Sequence, residues 1–152
     1  MRGLLVGALL LAGLFLTSFA YGAGGDGILG FWSTRDHSAQ FMIYKCGRLY
    51  CGKISSLREP NYSAKNKAGL AGLPKRDIHN PDPRLRKRTL VGLPLLSRFH
   101  YAGHNLWEGG QIYDPDDGKE YSAEIWLDGK KNLKLRGYLG FSLFGRTETW
   151  VR

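Results

Sequence analysis

Eight short runs of strand-forming residues, joined mostly by turns rich in Gly, Asp and Asn, narrow the fold of this chain more than any other feature. They are FWST at 31–34, AQFMIYKC at 39–46, YCGKISSL at 50–57, TLVGLPLLSRF at 89–99, NLWEGGQIYD at 105–114, EYSAEIWL at 120–127, NLKLRGYLGF at 132–141 and RTETWVR at 146–152. The cleanest alternation sets Leu133, Leu135, Gly137 and Leu139 on one face against Lys134, Arg136 and Tyr138 on the other. Alternation defines two faces without saying which points inward. Sequential antiparallel strands of this number predict an all-β, eight-stranded up-and-down antiparallel barrel. Its closure removes unpaired edges, and its interior can hold one small ligand. An open β-sandwich is the alternative.

The amino terminus fixes the compartment. Met1 and Arg2 precede an apolar stretch from Leu4 to Leu16, followed by small residues at Ser18, Ala20 and Gly22. Positive, apolar, small is the order of a secretory signal peptide, here residues 1–20 with cleavage after Ala20. The strongly apolar part is 13 residues long, short of the roughly 20 that a membrane span needs. Residues 21–152 then form a single domain. Without Arg2 the chain carries 21 basic and 13 acidic residues, a net charge of +8. Inside the cytoplasm such a balance would suggest nucleic acid. For an exported protein that partner is set aside, and anionic lipid, lipopolysaccharide or acidic cell-wall polymer takes its place.

Compartment also decides the chemistry of the two cysteines, Cys46 and Cys51 in YKCGRLYCGK. Two thiols do not complete a tetrahedral zinc site, and His37, His79, His100 and His104 lack the paired spacing to supply the rest, so no metal is expected. A redox pair is more typically C-x-x-C at the start of a helix, whereas GRLY here joins two strand-like runs. In an oxidising compartment the simplest outcome is a disulfide closing a hairpin.

The long interruption at 58–89 holds nine basic and three acidic residues, +6 of the total. Compact domains rarely keep such a loop without a use. Lys75, Arg76, Arg84, Arg86, Lys87 and Arg88 are read as a basic lid or docking surface beside the barrel mouth, or else as a solvated charge run. Within it, NPDPRLRKR predicts a short helix with Asp82 as N-cap and Pro83 at the first position. DPDDG at 114–118 reads as a hairpin turn, since Ile125 stands where a calcium loop needs its bidentate Glu. No nucleophile elbow or triad order is present and no cofactor motif is recognised, so binding is favoured over catalysis. Tyr44, Trp107, Tyr113 and Tyr138 are candidate lining residues for a ligand. Arg136 joins them if its face is the inner one, where a buried cation would need an anionic partner, and is merely exposed if the leucines point inward.

Two resemblances add to this reading. GFW, Gly30 to Trp32, opens the first strand and Arg152 closes the last. This resembles lipocalin and calycin barrels, in which a G-x-W tryptophan closes one end under a basic residue from the last strand. Trp32 is therefore expected beneath Arg152, or Arg146 on the same strand parity. Over most of the chain GILGFW, IYKCGRLYCGKI, NPDPRLRKRTLVGL, WEGGQIYDPDDGKEY and LRGYLGFSLFGRTETWVR are similar to the DUF2147 family of exported bacterial proteins. That resemblance implies a periplasmic protein with a lipocalin-like barrel and assigns no catalytic role to any residue. The functional expectation is a periplasmic binding or carrier protein for a small amphiphilic or anionic ligand. The alternative is an envelope interaction module working through the basic loop.

Overall fold

The computed structural model describes residues 24–140 and 145–152; the predicted leader lies outside the described residues. The strands are β1 Gly30–Thr34, β2 Ala39–Cys46, β3 Leu49–Leu57, β4 Pro94–Gly103, β5 Leu106–Asp114, β6 Lys119–Asp128, β7 Asn132–Tyr138 and β8 Arg146–Val151. Each pairs antiparallel with its neighbour, and β1 pairs with β8 through Ser33 to Val151 and Thr34 to Trp150, closing the barrel. Closure excludes the open sandwich.

Local chemistry explains the corners. At the β1–β2 turn the Asp36 carboxylate accepts from both the backbone and the hydroxyl of Ser38, and His37 takes a left-handed conformation. Between β2 and β3, Gly47 supplies the positive φ that the tight turn demands. The Cys46–Cys51 disulfide staples this hairpin, with Cα atoms 5.9 Å apart. The turn after β5 is made by Asp114 and Asp117, whose carboxylates accept from the backbone of Asp116 and Lys119. The predicted helix is a single 3-10 turn, Pro83–Leu85, with Asp82 accepting from the Arg84 backbone.

Two strands differ from the expected runs by more than one residue. β4 starts at Pro94 instead of residue 89 and runs on to Gly103. Proline lacks the N–H that a strand interior requires and is tolerated at a first position. The residues before it fold back, Leu93 donating to the Leu90 carbonyl around a left-handed Gly92. β7 ends at Tyr138, where Leu139 and Gly140 bend away.

The core shows which face is the lumen. Trp32, Ile43, Leu96, Phe99, Trp107, Ala123, Ile125, Leu133, Leu135 and Trp150 are all at most 2% exposed. Burying each large apolar side chain contributes about 1.5–3 kcal/mol. Phe41 stacks on Trp150 with centroids 3.9 Å apart, and Tyr101 leans on Trp107 at 5.1 Å. Leu133 and Leu135 point inward, so Arg136 and Lys134 point outward.

One end of the barrel is sealed. Residues 24–29 fold beneath it, where Ile28 is fully buried and Trp107 Nε1 donates to the Gly25 carbonyl at 3.0 Å. Trp32 Nε1 donates to Ile28 at 2.8 Å. Arg152 crosses the Trp32 ring and donates to the Leu29 carbonyl at 2.5 Å. The long loop before β4 and the β5–β6 turn lie at the opposite end.

Candidate functional site

Above the filled part of the barrel, a cavity of about 290 Å³ opens at the unsealed end. Ile112 of β5, Tyr121 of β6, Leu135 and Gly137 of β7, and Glu148 and Arg146 of β8 line it, with Asp114, Tyr138 and Leu139 around the rim. The lining follows from strand parity. Leu133, Leu135 and Gly137 succeed one another up the inner face of β7, and Trp150, Glu148 and Arg146 up that of β8, where Glu148 is opposite Leu135 and Arg146 opposite Gly137. Side chains grow smaller or more polar toward the mouth, and the core gives way to a space. Gly137 matters most here, because any side chain at this position would project toward Ile112 and Tyr121.

The electrostatics of the mouth oppose those of the whole chain. Its lining holds the carboxylates of Asp114 and Glu148 and one guanidinium, Arg146, which lies 3.8 Å from Glu148. Tyr121 donates its hydroxyl to Asp117. That bond holds the Asp117 carboxyl below the usual range and raises the Tyr121 hydroxyl.

The ligand-lining candidates from the sequence do not converge. Tyr138 borders the cavity. Trp107 is 1% exposed within the sealed half, held by Gly25. Tyr44 alternates with inward Ile43 and so faces outward, where Lys53 lies over its ring at 5.9 Å. Arg136 is outside for the same reason and donates to the Thr147 hydroxyl at 2.9 Å; the inward reading of this residue is corrected. Arg146 shares the parity of Trp150 but sits at the mouth, so Arg152 alone of the two reaches Trp32.

Tyr113 has another task. It faces outward between inward Ile112 and Asp114, and its hydroxyl donates to Asp77 Oδ1 at 2.5 Å. Asp77 is fully buried and also receives Asn80 Nδ2 at 2.8 Å and Arg88 at 2.9 Å. Burial, followed by the bond to Asp77, pushes the Tyr113 hydroxyl up to about 12. Gly118, left-handed, lies so close to the His79 carbonyl that a Cβ would collide with it. The 58–89 segment is thereby held to the outer face of β5 and the β5–β6 turn, and none of its residues lines the mouth cavity.

Three of the six basic loop residues have their charge or donors engaged within the loop. Arg84 pairs with Asp82 at 2.8 Å, Arg88 with Asp77, and Arg86 Nε donates to the Asn80 carbonyl at 2.7 Å. Lys75 and Arg76 are half-buried, while Lys87 is exposed. A lid over the mouth is thus not what this loop forms. It borders a separate polar groove with Asn80, Asp82, Arg88, Tyr113 and Glu120.

Sequence reasoning missed Asp77 and Asn80, whose partners lie more than thirty residues away in β5. It also missed the β8 contribution to the cavity, because Glu148 and Arg146 continue a parity that only the inward Trp150 reveals.

Comparison with known proteins agrees with this architecture. The Helicobacter pylori protein HP1028, described as belonging to the lipocalin family, has a similar structure, with a TM-score of 0.67 and 22% sequence identity. The match covers 82% of this chain and 81% of that one. At this identity the likeness concerns the fold alone: an all-β, closed, lipocalin-like barrel. No curated protein matches the chain. The family described as "Uncharacterized protein conserved in bacteria (DUF2147)" matches residues 30–152, from the first residue of β1 to the arginine that closes the barrel, and the chain belongs to that family.

Proposed function

We propose that this protein is an exported carrier that holds a small amphiphilic molecule at the mouth of its barrel. The observation that carries the reading is the 290 Å³ cavity above a filled core, with an apolar floor and a charged rim. Its volume lies at the low end of the roughly 300–1,000 Å³ usual for ligand pockets, so the occupant is small and enters from one end only. Ile112 and Leu135 would take its apolar part, and the rim its polar head. The leader pattern and the Cys46–Cys51 disulfide support export, since such bonds persist in oxidising compartments. In a bacterium this suggests the periplasm.

Native mass spectrometry of the protein purified from an oxidising compartment tests this reading. A copurifying or added small amphiphile should be retained by the natural protein and lost from Gly137→Leu, whose side chain fills the cavity. Equal retention by both proteins would place the ligand elsewhere.

A second reading rests on the basic loop. Arg84, Arg86 and Lys87 are exposed on a segment that Asp77 holds in one conformation, which suits docking to anionic envelope lipid or polymer. Neutralising all six basic loop residues should then abolish sedimentation with phosphatidylglycerol vesicles at low salt. Unchanged sedimentation would dispose of the idea.

A further inference from the structure

The mouth of the barrel is acidic and aromatic in a chain whose net charge is strongly positive. Building on the carrier reading, we infer that the cavity selects an amphiphile whose head group is a cation, a quaternary or protonated alkylammonium. Three features of the site lead there. First, the carboxylates of Asp114 and Glu148 both stand on inward-parity positions at the mouth, against the single guanidinium of Arg146. Second, the ring of Tyr121, on the inward parity of β6 with Ala123 and Ile125, lines the same space, and Tyr138 borders it. An aromatic face attracts a cation through its quadrupole, and desolvated ammonium groups are held well by such rings. The hydroxyl of Tyr121 donates to the Asp117 carboxylate, which leaves its ring richer in electrons and adds a third negative charge behind it. Third, the floor is hydrocarbon, formed by Ile112, Leu135 and the bare backbone of Gly137.

Arg146 offers the mouth only a loose counter-charge. Its guanidinium sits 3.8 Å from Glu148, too far for a tight pair, and its side chain is 89% exposed. An exposed pair of this kind contributes little, so a ligand ammonium can replace Arg146 beside Glu148 at small cost. An anionic head would instead have to approach two carboxylates with one mobile arginine in its favour. A neutral head would leave two carboxylates with only the exposed Arg146 as counter-charge.

The test uses three probes with the same tail: octyltrimethylammonium, octyl sulfate and octyl glucoside, each below its micellar concentration, titrated calorimetrically into the protein. The ammonium should bind tightest, by about tenfold or more, the equivalent of about 1.4 kcal/mol. Glu148→Gln combined with Asp114→Asn should remove that advantage, while an unchanged circular dichroism spectrum and thermal unfolding curve show that the variant is folded. Asparagine keeps the turn bond that Asp114 makes to the Asp116 backbone. Equal binding of the three probes, tighter binding of octyl sulfate, or an unchanged preference in the double variant would each overturn the cation inference and leave the carrier reading standing. Failure of all three to bind would bring down the carrier reading and this inference with it.

Discussion

Arg152 lies over Trp32, its guanidinium carbon 4.1 Å from the centre of the ring, while the same group donates to the backbone of Leu29. The last residue of the chain thus covers the first strand's tryptophan at the sealed end. Stacking contributes about 0.5–2 kcal/mol depending on desolvation. Arg152→Ala should therefore lower unfolding free energy by an amount in that range. Trp32→Ala, which empties a fully buried site, should cost roughly 3–5 kcal/mol. Urea titrations followed by circular dichroism measure both. Equal losses for the two variants would mean that closure is not organised around the indole.

The Cys46–Cys51 staple closes a ring around a turn that β2 and β3 already hold in register. By the loop-entropy relation, so short a ring stabilises by about 2 kcal/mol. Replacing both cysteines by serine should lower the urea midpoint accordingly and leave the barrel assembled. Complete loss of sheet structure in the serine variant would show that the hairpin depends on the bond for its formation.

Buried Asp77 is the anchor of the long loop. Asp77→Ala strips partners from Tyr113, Asn80 and Arg88 at once; Arg88, 41% exposed, can turn to water, so the expected cost is about 1–3 kcal/mol, that of leaving buried polar groups unpaired. The Tyr113 bond also predicts a pH dependence. Its hydroxyl is raised from 10.0 to about 12 in the folded protein. Burial first and the bond to Asp77 second favour the neutral hydroxyl in the folded protein, so the stability it carries is fully present below pH 10 and is lost as pH climbs toward 12. Tyr113→Phe should thus be less stable at neutral pH and converge with the natural protein at the alkaline end. Parallel stability curves across that window would reject the bond's role.

Acid should loosen the sealed end. The Asp26 carboxylate is held below its ordinary value first by its bond to Lys45 and then by the Tyr50 hydroxyl. A depressed folded value places its contribution above the ordinary carboxylate range and removes it as pH falls through the folded value. Because Trp107 donates to neighbouring Gly25, its fluorescence reports on this segment. Asp26→Asn should abolish the acid transition in that signal. A transition of the same amplitude in the variant would assign it to another group.

Strand number, turn chemistry, the hairpin disulfide and the pairing of the chain's two ends were legible in the sequence because each depends on local pattern or on the geometry of closure. Orientation was not. Arg136 and Leu135 alternate in either direction with equal ease, and only neighbouring strands decide which is buried. Likewise Tyr113 reads as any strand tyrosine until Asp77 arrives 36 positions away in sequence. The basic run at 84–88 attracted attention by its charge, yet two of its arginines pair with Asp82 and Asp77. Net charge counts residues and does not pair them.

Two inward glycines distinguish the filled half of the barrel from the open one. At Gly110 an added methyl would land on the ring of Phe99, which is 1% exposed and has no room to retreat. At Gly137 the nearest atom to such a methyl is the Ile112 side chain at 3.4 Å, an ordinary contact beside the cavity. Neither glycine has the positive φ that would strain an alanine, so space alone separates them. Gly110→Ala should destabilise by about 1–3 kcal/mol, the usual effect of overpacking a core. Gly137→Ala should be neutral, or stabilising by about 0.4–1 kcal/mol, because it restricts the unfolded chain at a site that tolerates it. Thermal unfolding of both variants beside the natural protein measures the contrast. If Gly137→Ala is as damaging as Gly110→Ala, the mouth is as full as the base, and a ligand cannot sit there.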